Sequence, residues 1–189
     1  MDELKKTDLE WTAIYPGIFM EYYVPGLPTY NNIYAINIDV ESNMAGIPGS
    51  GDVPITLTYS ADIGKYIAAL QGLDKWERDY RIAGDTKTWH EVIAIIEKGK
   101  GVKLDVEYDS MEKLQKGQVR DLPSYQKTYA MLGGGEFAKS TVQGMYAQFG
   151  QWMEQGEFMY KDGPILNNVF PEIKPLAFEE AWKKVSSKA

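Results

Sequence analysis

Apolar positions change period several times along this chain, and each change marks an element. Leu9 to Tyr15 is rich in β-formers and reads as a strand that Pro16-Gly17 stops. Ahead of it, Asp2 to Lys6 reads as the end of a polar helix. From Ile18 to Asn32 the aromatic residues Phe19, Tyr22, Tyr23 and Tyr30 are interrupted by Pro25, Gly26 and Pro28, the pattern of a short helix followed by a long loop. Ile33 to Val40 alternates as a strand, Gly46 to Asp52 is a turn cluster, and Val53 to Tyr59 is a second strand, which together suggest a hairpin-like excursion. Ser60 is placed to cap a helix from Ala61 to Gln71, with Asp62 in its first turn and Ile63, Ile67 and Leu70 at helical spacing.

The second half is more helical. A strand, Tyr80 to Ala83, ends at Gly84-Asp85, and Thr88 with Glu91 predicts a capping box for a helix from Trp89 to Lys98 that Gly99 and Gly101 end. Val102, Leu104, Val106 and Tyr108 alternate with Lys103, Asp105 and Glu107, as in a strand with one buried face. Ser110 caps a short helix, Met111 to Lys116. A helix from Tyr125 to Leu132 meets Gly133-Gly134-Gly135, after which Phe137, Thr141, Met145, Phe149 and Trp152 recur near helical spacing. Asp162-Gly163-Pro164 turns the chain, and Phe178, Ala181, Trp182 and Val185 predict a last amphipathic helix from Ala177 to Val185.

Composition narrows the function classes. With 189 residues and 44% apolar content the chain can build a real core, and its 13 tyrosines and 5 tryptophans suit either packing or the wall of a small-molecule pocket. A formal charge of −7 without a basic stripe opposes nucleic-acid binding; Lys183, Lys184 and Lys188 complement the end of the last helix. The absence of cysteine excludes disulfides and thiolate chemistry. No apolar run reaches membrane-span length and the start lacks a leader pattern, so a cytoplasmic protein is expected, without membrane or nucleic-acid partners.

Few constellations carry chemistry. Gly49-x-Gly51 precedes a strand, whereas a dinucleotide turn follows one, so it reads as turn chemistry. Gly133 to Ser140 misses a phosphate loop because Ala138 stands at the final glycine position and Glu136 would repel an anion. His90, the one histidine, reads as a solvated helix residue, and Asp105 with Glu107 as the wet face of a strand. No tyrosine has a lysine one helical turn on, so the pair that lowers a phenol pKa in classical short-chain dehydrogenases is absent, and no catalytic residue is assigned.

Several segments in order resemble the carboxyl-terminal part of the fungal NmrA-like and isoflavone-reductase-like family, atypical short-chain dehydrogenases. They are Glu10 to Met20, Ala45 to Gly51, Thr58 to Gly64, Ala83-Gly84-Asp85 with Thr88 to Glu91, Leu166 to Pro171, and Glu179 to Trp182. The resemblance implies an α/β fold: the last strands of a Rossmann-like parallel sheet plus a mainly helical small substrate-binding domain. It places residues 1–84 in an incomplete NAD(P)-binding domain with an inserted loop or hairpin at 17–52, and residues 85–189 in the substrate domain. Family members hold NADP on a Gly-x-x-Gly-x-x-Gly turn, which this sequence does not contain, so tight coenzyme binding by this chain is not expected; that turn and the family's acid-base lysine are expected upstream.

By the same resemblance Pro16, Gly17, Ile18 and Phe19 would touch the cofactor, while Tyr22, Tyr23 and Tyr30 would wall the cleft for a small-molecule substrate. The reading is the substrate-binding half of an NAD(P)H-dependent oxidoreductase, inactive alone. A non-catalytic, dinucleotide-responsive regulatory or interaction module is the alternative. Sheet strands left without neighbours would offer an edge for self-association or a partner chain.

Overall fold

The computed structural model describes residues 3–32, 34–160 and 162–187. The expectations that fall on Asp2, Ile33 and Lys188 lie outside them. The fold is α/β, with three small sheets wrapped by helices. β1 (Ala13–Tyr15) pairs in parallel with β6 (Asp79–Arg81), Ile14 standing opposite Tyr80. β2 (Ile18–Phe19) runs parallel to β5 (Ile55–Thr58), which is antiparallel to β7 (Asp85–Lys87). β4 (Met44–Pro48) lies between β3 (Ile38–Asp39), antiparallel, and β8 (Asp105–Asp109), parallel. The β1 and β6 pair is the expected parallel remnant, and β1 has no partner on its other side among the described residues.

The step from the first sheet to the second is made by one glycine. Gly17 has φ of +75°, and a Cβ there would stand 2.5 Å from the Thr56 carbonyl oxygen, so no other residue fits. Its N–H donates to the Tyr160 hydroxyl at 2.9 Å. The chain thus leaves β1 and enters β2 with the Pro16-Gly17 turn fixed on both sides.

The helices are α1 (Ser60–Leu70), α2 (Trp89–Lys100), α3 (Met111–Gln115), α4 (Tyr125–Met131), α5 (Gly135–Glu154), α6 (Leu166–Val169) and α7 (Phe178–Ser186). Short-range chemistry sets several ends. Thr88 Oγ1 accepts from Glu91 N–H at 3.2 Å while Glu91 accepts from Thr88 N–H at 2.8 Å, the full capping box. Ser110 caps α3 by accepting from Lys113 N–H. Two buried or half-buried carboxylates tie down the last segment: Asp62 accepts from Leu176 N–H at 2.7 Å and Asp85 from Phe178 N–H at 2.9 Å. Phe178, Ala181 and Trp182 then bury the expected face of α7.

Several expectations are corrected, each for a long-range reason. The strand expected over Leu9 to Tyr15 pairs only over Ala13–Tyr15, and that over Ile33 to Val40 only over Ile38–Asp39. The hairpin lies between β3 and β4 rather than between the strands read at 33–40 and 53–59. Gly46, Ile47 and Pro48 form a buried central strand instead of a turn, and Gly46 is small because a Cβ there would meet Arg120 Cβ at 2.7 Å. Ser60 begins α1 without capping it; its N–H donates to Glu21 Oε1 at 3.1 Å. Tyr66, not Ile67, belongs to the buried face of α1.

Gly99 lies inside α2, which runs on to a left-handed cap at Gly101. Tyr108 faces solvent while its neighbour Asp109 is buried, breaking the expected alternation of β8. Phe137, Met145 and Trp152 lie on the open side of α5, whereas Ala138, Val142, Tyr146, Ala147, Gly150 and Met153 are buried. The division at 84/85 falls between β6 and β7, and β7 pairs back onto β5, so hydrogen bonds cross it.

Candidate functional site

A cleft of about 510 Å³ opens where the β1–β2 turn faces the α4–α5 hairpin. One wall is Gly17, Ile18 and Phe19, continued by Tyr22 on the short helical turn Met20–Tyr23 and by Tyr34 and Ile36. The opposite wall is Thr128, Met131 and Leu132 from α4 and its end, then Thr141, Val142, Met145, Tyr146, Phe149 and Met153 from α5, closed by Phe158. Phe19 meets Tyr22 edge-on with ring centroids 5.9 Å apart, which holds the first wall together. None of these lining residues is charged. The polar atoms available are the Gly17 backbone, two threonine hydroxyls and three phenols.

Two of the phenols, Tyr22 and Tyr146, are pushed above the ordinary tyrosine range. Burial pushes the Tyr22 pKa up, and the adjacent Glu21 carboxylate adds to it; burial likewise raises Tyr146 against the opposing hydrogen bond to Thr128. Thr128 and Tyr146 thus join α4 to α5 across the floor of the cleft. Among the described residues the hydroxyls of Tyr22 and Tyr34 have no hydrogen-bond partner in the protein. Glu21 itself is buried behind Tyr22, with Oε1 accepting from Ser60 and Oε2 unpartnered among the described residues. The arrangement can bind an apolar molecule and donate hydrogen bonds to it.

Of the residues singled out from the sequence, Gly17, Ile18, Phe19 and Tyr22 are brought together on this wall. Pro16 is half-buried just outside it. Tyr23 is a core residue instead: its hydroxyl donates to Asn37 Oδ1 at 2.9 Å and its ring packs edge-on against Trp89. Tyr30 is 109% exposed and lines no part of the cleft. Tyr34, twelve positions beyond Tyr22, carries no periodicity that marks it, and Thr128 and the α5 residues lie far along the chain from this wall. An available sign was the run of apolar residues around Gly133 to Gly135, more than a helix corner needs.

The other constellations lie elsewhere. His90 is exposed, with Nε2 at 3.1 Å from the Ser50 carbonyl and 3.2 Å from Asp52, and its Nδ1 at 3.4 Å from the Tyr108 hydroxyl. Asp105 and Glu107 flank the buried Arg120, whose guanidinium also donates to the Ala45 carbonyl at 3.0 Å. They serve the β4–β8 sheet. Among the described residues no helix is long and apolar enough to cross a membrane.

A dinucleotide would need a cationic or main-chain grip for its diphosphate. The residues lining the cleft do not fit that part of the molecule, since they include no lysine, arginine or helix amino end opened by a glycine turn. Ile18 and Phe19 would suit only an apolar ring.

The fold is that of part of the isoflavone-reductase-like structures it superposes on. The crystal structure of isoflavone reductase superposes with a TM-score of 0.66 at 17% identity, covering 97% of this chain and 55% of that one. The ternary complex of leucoanthocyanidin reductase from Vitis vinifera gives 0.65 at 16% identity, covering 98% and 58%. A binary complex of the same reductase is described as binding NADPH. In sequence the chain is 30% identical over 184 residues to oxidoreductase BOA1 of Botryotinia fuckeliana, covering 95% of this chain and 55% of the relative. It is 28% identical to oxidoreductase swnN of Metarhizium robertsii, covering 95% and 52%. No family model matches the chain. The chain spans about half the length of the curated relatives it matches.

Proposed function

We propose that this chain forms the substrate-binding part of an NAD(P)H-dependent oxidoreductase of the isoflavone-reductase-like, NmrA-like type. The observation that carries the reading is the apolar cleft between the β1–β2 turn and the α4–α5 hairpin. In this reading the Pro16 to Phe19 segment faces the nicotinamide end of the coenzyme, and the substrate lies between Tyr22 and α5. NADP is the coenzyme of the whole protein, and its diphosphate is gripped by residues outside these 189. The chain by itself then holds NADPH weakly and transfers no hydride. The free side of β1 is where another strand or a second copy would pair, and a cytoplasmic location belongs to the same proposal.

The test is calorimetric titration of the purified 189-residue chain with NADPH, together with a hydride-transfer assay. No saturation below about 100 µM is expected. Binding near 1 µM or tighter would overturn the division of labour. Light scattering adds the second check: a stable compact monomer at all concentrations would remove pairing through β1 from the proposal.

A further inference from the structure

The cleft is unusual in what its walls lack. Of sixteen lining residues, none is Asp, Glu, Lys, Arg or His, and the sole hydrogen-bonding side chains are threonines and tyrosines. Thr141 already donates to the Phe137 carbonyl at 2.8 Å, and Thr128 is engaged with Tyr146. That leaves the hydroxyls of Tyr22 and Tyr34, which among the described residues have no partner in the protein. The nearest carboxylate, Glu21, is buried behind Tyr22 and adds negative potential to that wall.

We propose that the cleft selects an uncharged, mainly apolar molecule that carries an oxygen acceptor, which Tyr22 and Tyr34 meet as hydrogen-bond donors, and rejects the corresponding carboxylate. This rests on reading the cleft as the substrate site. The physical case has two parts. An anion entering apolar walls loses its hydration and finds no cation to replace it, so it binds far worse than its neutral counterpart of the same shape. A neutral oxygen, by contrast, is offered donors that would otherwise go unpaired once the cleft is filled, and sites of that kind discriminate by hydrogen bonding. Tyr22 stays protonated because burial raises its pKa, so it remains a donor at neutral pH.

A matched set of probes tests each part on the full chain: methyl 2-naphthoate, 2-naphthoate and 2-methylnaphthalene, titrated by fluorescence at neutral pH. The ester is expected to bind at least about tenfold more tightly than the carboxylate. The double variant Tyr22→Phe, Tyr34→Phe should weaken the ester about fivefold to tenfold and leave 2-methylnaphthalene unchanged. Met145→Lys, at a half-open helix position on the rim, should bring the carboxylate up toward the ester. Equal or tighter binding of the carboxylate by the unmodified chain overturns the charge selection. An unchanged ester affinity in the double variant overturns the donor role. If neither the ester nor 2-methylnaphthalene binds, the substrate-site reading itself fails and takes this inference with it.

Discussion

Two helix pairs in this molecule use the same ingredients, glycines and large apolar side chains, to opposite ends. Where α2 meets α7, Gly99 lies directly under the indole of Trp182: a Cβ at that glycine would stand 2.5 Å from the ring. Trp182 is only 6% exposed, and it shares one buried cluster with Trp89, Val92 and Ile96. Where α4 meets α5, Gly133, Gly134 and Gly135 all have positive φ, yet nothing stands within 4 Å of their missing Cβ atoms. Met131 and Phe137 beside them are 69% and 80% exposed. A glycine pressed by a neighbour marks scaffold, and glycines that turn the chain in open space, flanked by uncovered apolar groups, mark an unpacked corner, here the one next to Met131 and Leu132 of the cleft wall.

The sharpest way to break that comparison is to remove the indole. Trp182→Ala should cost about 3 to 5 kcal/mol, because it deletes a buried aromatic and leaves a cavity between α2, α7 and the core. Trp152→Ala, at a tryptophan 41% exposed on the open side of α5, should cost less than about 1 kcal/mol. Chemical denaturation of the two variants reads the difference directly; similar losses would mean that both helix pairs are structural contacts of one kind.

Gly99→Ala refines the same point. Alanine is the better helix former by about 1 kcal/mol, so propensity alone predicts stabilisation. Overpacking against a rigid indole opposes it by about 1 to 3 kcal/mol, and a net loss of about 1 kcal/mol is expected. A stabilised variant would show that Trp182 yields without cost and that the contact is loose.

The contrast also explains what the sequence made legible. The Thr88 and Glu91 capping box, the Ser110 cap and the buried face of α7 depend on residues three or four apart, and local spacing carries them completely. Gly46 and Pro48 suggested a turn because their central-strand role depends on Arg120, more than seventy positions away. For α5, spacing predicted the helix but selected the larger residues as its inner face. The structure buries Ala138, Val142 and Gly150 instead: the first two pack with Tyr125 and Tyr129 of α4, and Gly150 lets α5 approach Leu114 and Pro48. The cleft was half legible for the same reason: its Gly17 to Tyr22 wall is one continuous segment, while the other wall exists only after α4 and α5 fold back onto it.

Smaller still is the effect of acid on the anchor of the α4–α5 hairpin. Asp39, buried at the end of β3, accepts from Ser42 N–H at 3.0 Å and from Ser124 N–H at 2.9 Å, the latter just before α4. Burial pushes its pKa up, but the hydrogen bonds from the Ser42 and Ser124 segments together outweigh it and hold the folded value below 3.8. A depressed folded pKa contributes stability that is present above the unfolded value and lost as pH falls through the folded one. Unfolding free energy should therefore decline below about pH 4 with a component that Asp39→Asn removes. Parallel acid limbs for the two proteins would show that Asp39 carries no such linkage.

The smallest expected change is also the one that separates the two helix pairs most cleanly. Phe137 belongs to the apolar stripe of α5, and a reading from periodicity alone would make it a core residue whose truncation costs about 3 to 5 kcal/mol. In the fold it stands in solvent in the first turn of the helix, so Phe137→Ser removes almost no buried area, and serine differs little from phenylalanine in helix propensity. Its effect on stability should stay within about 0.5 kcal/mol. If denaturation instead shows a loss of several kcal/mol, Phe137 is covered in solution, and the α4–α5 corner is a buried contact of the same kind as Gly99 beneath Trp182.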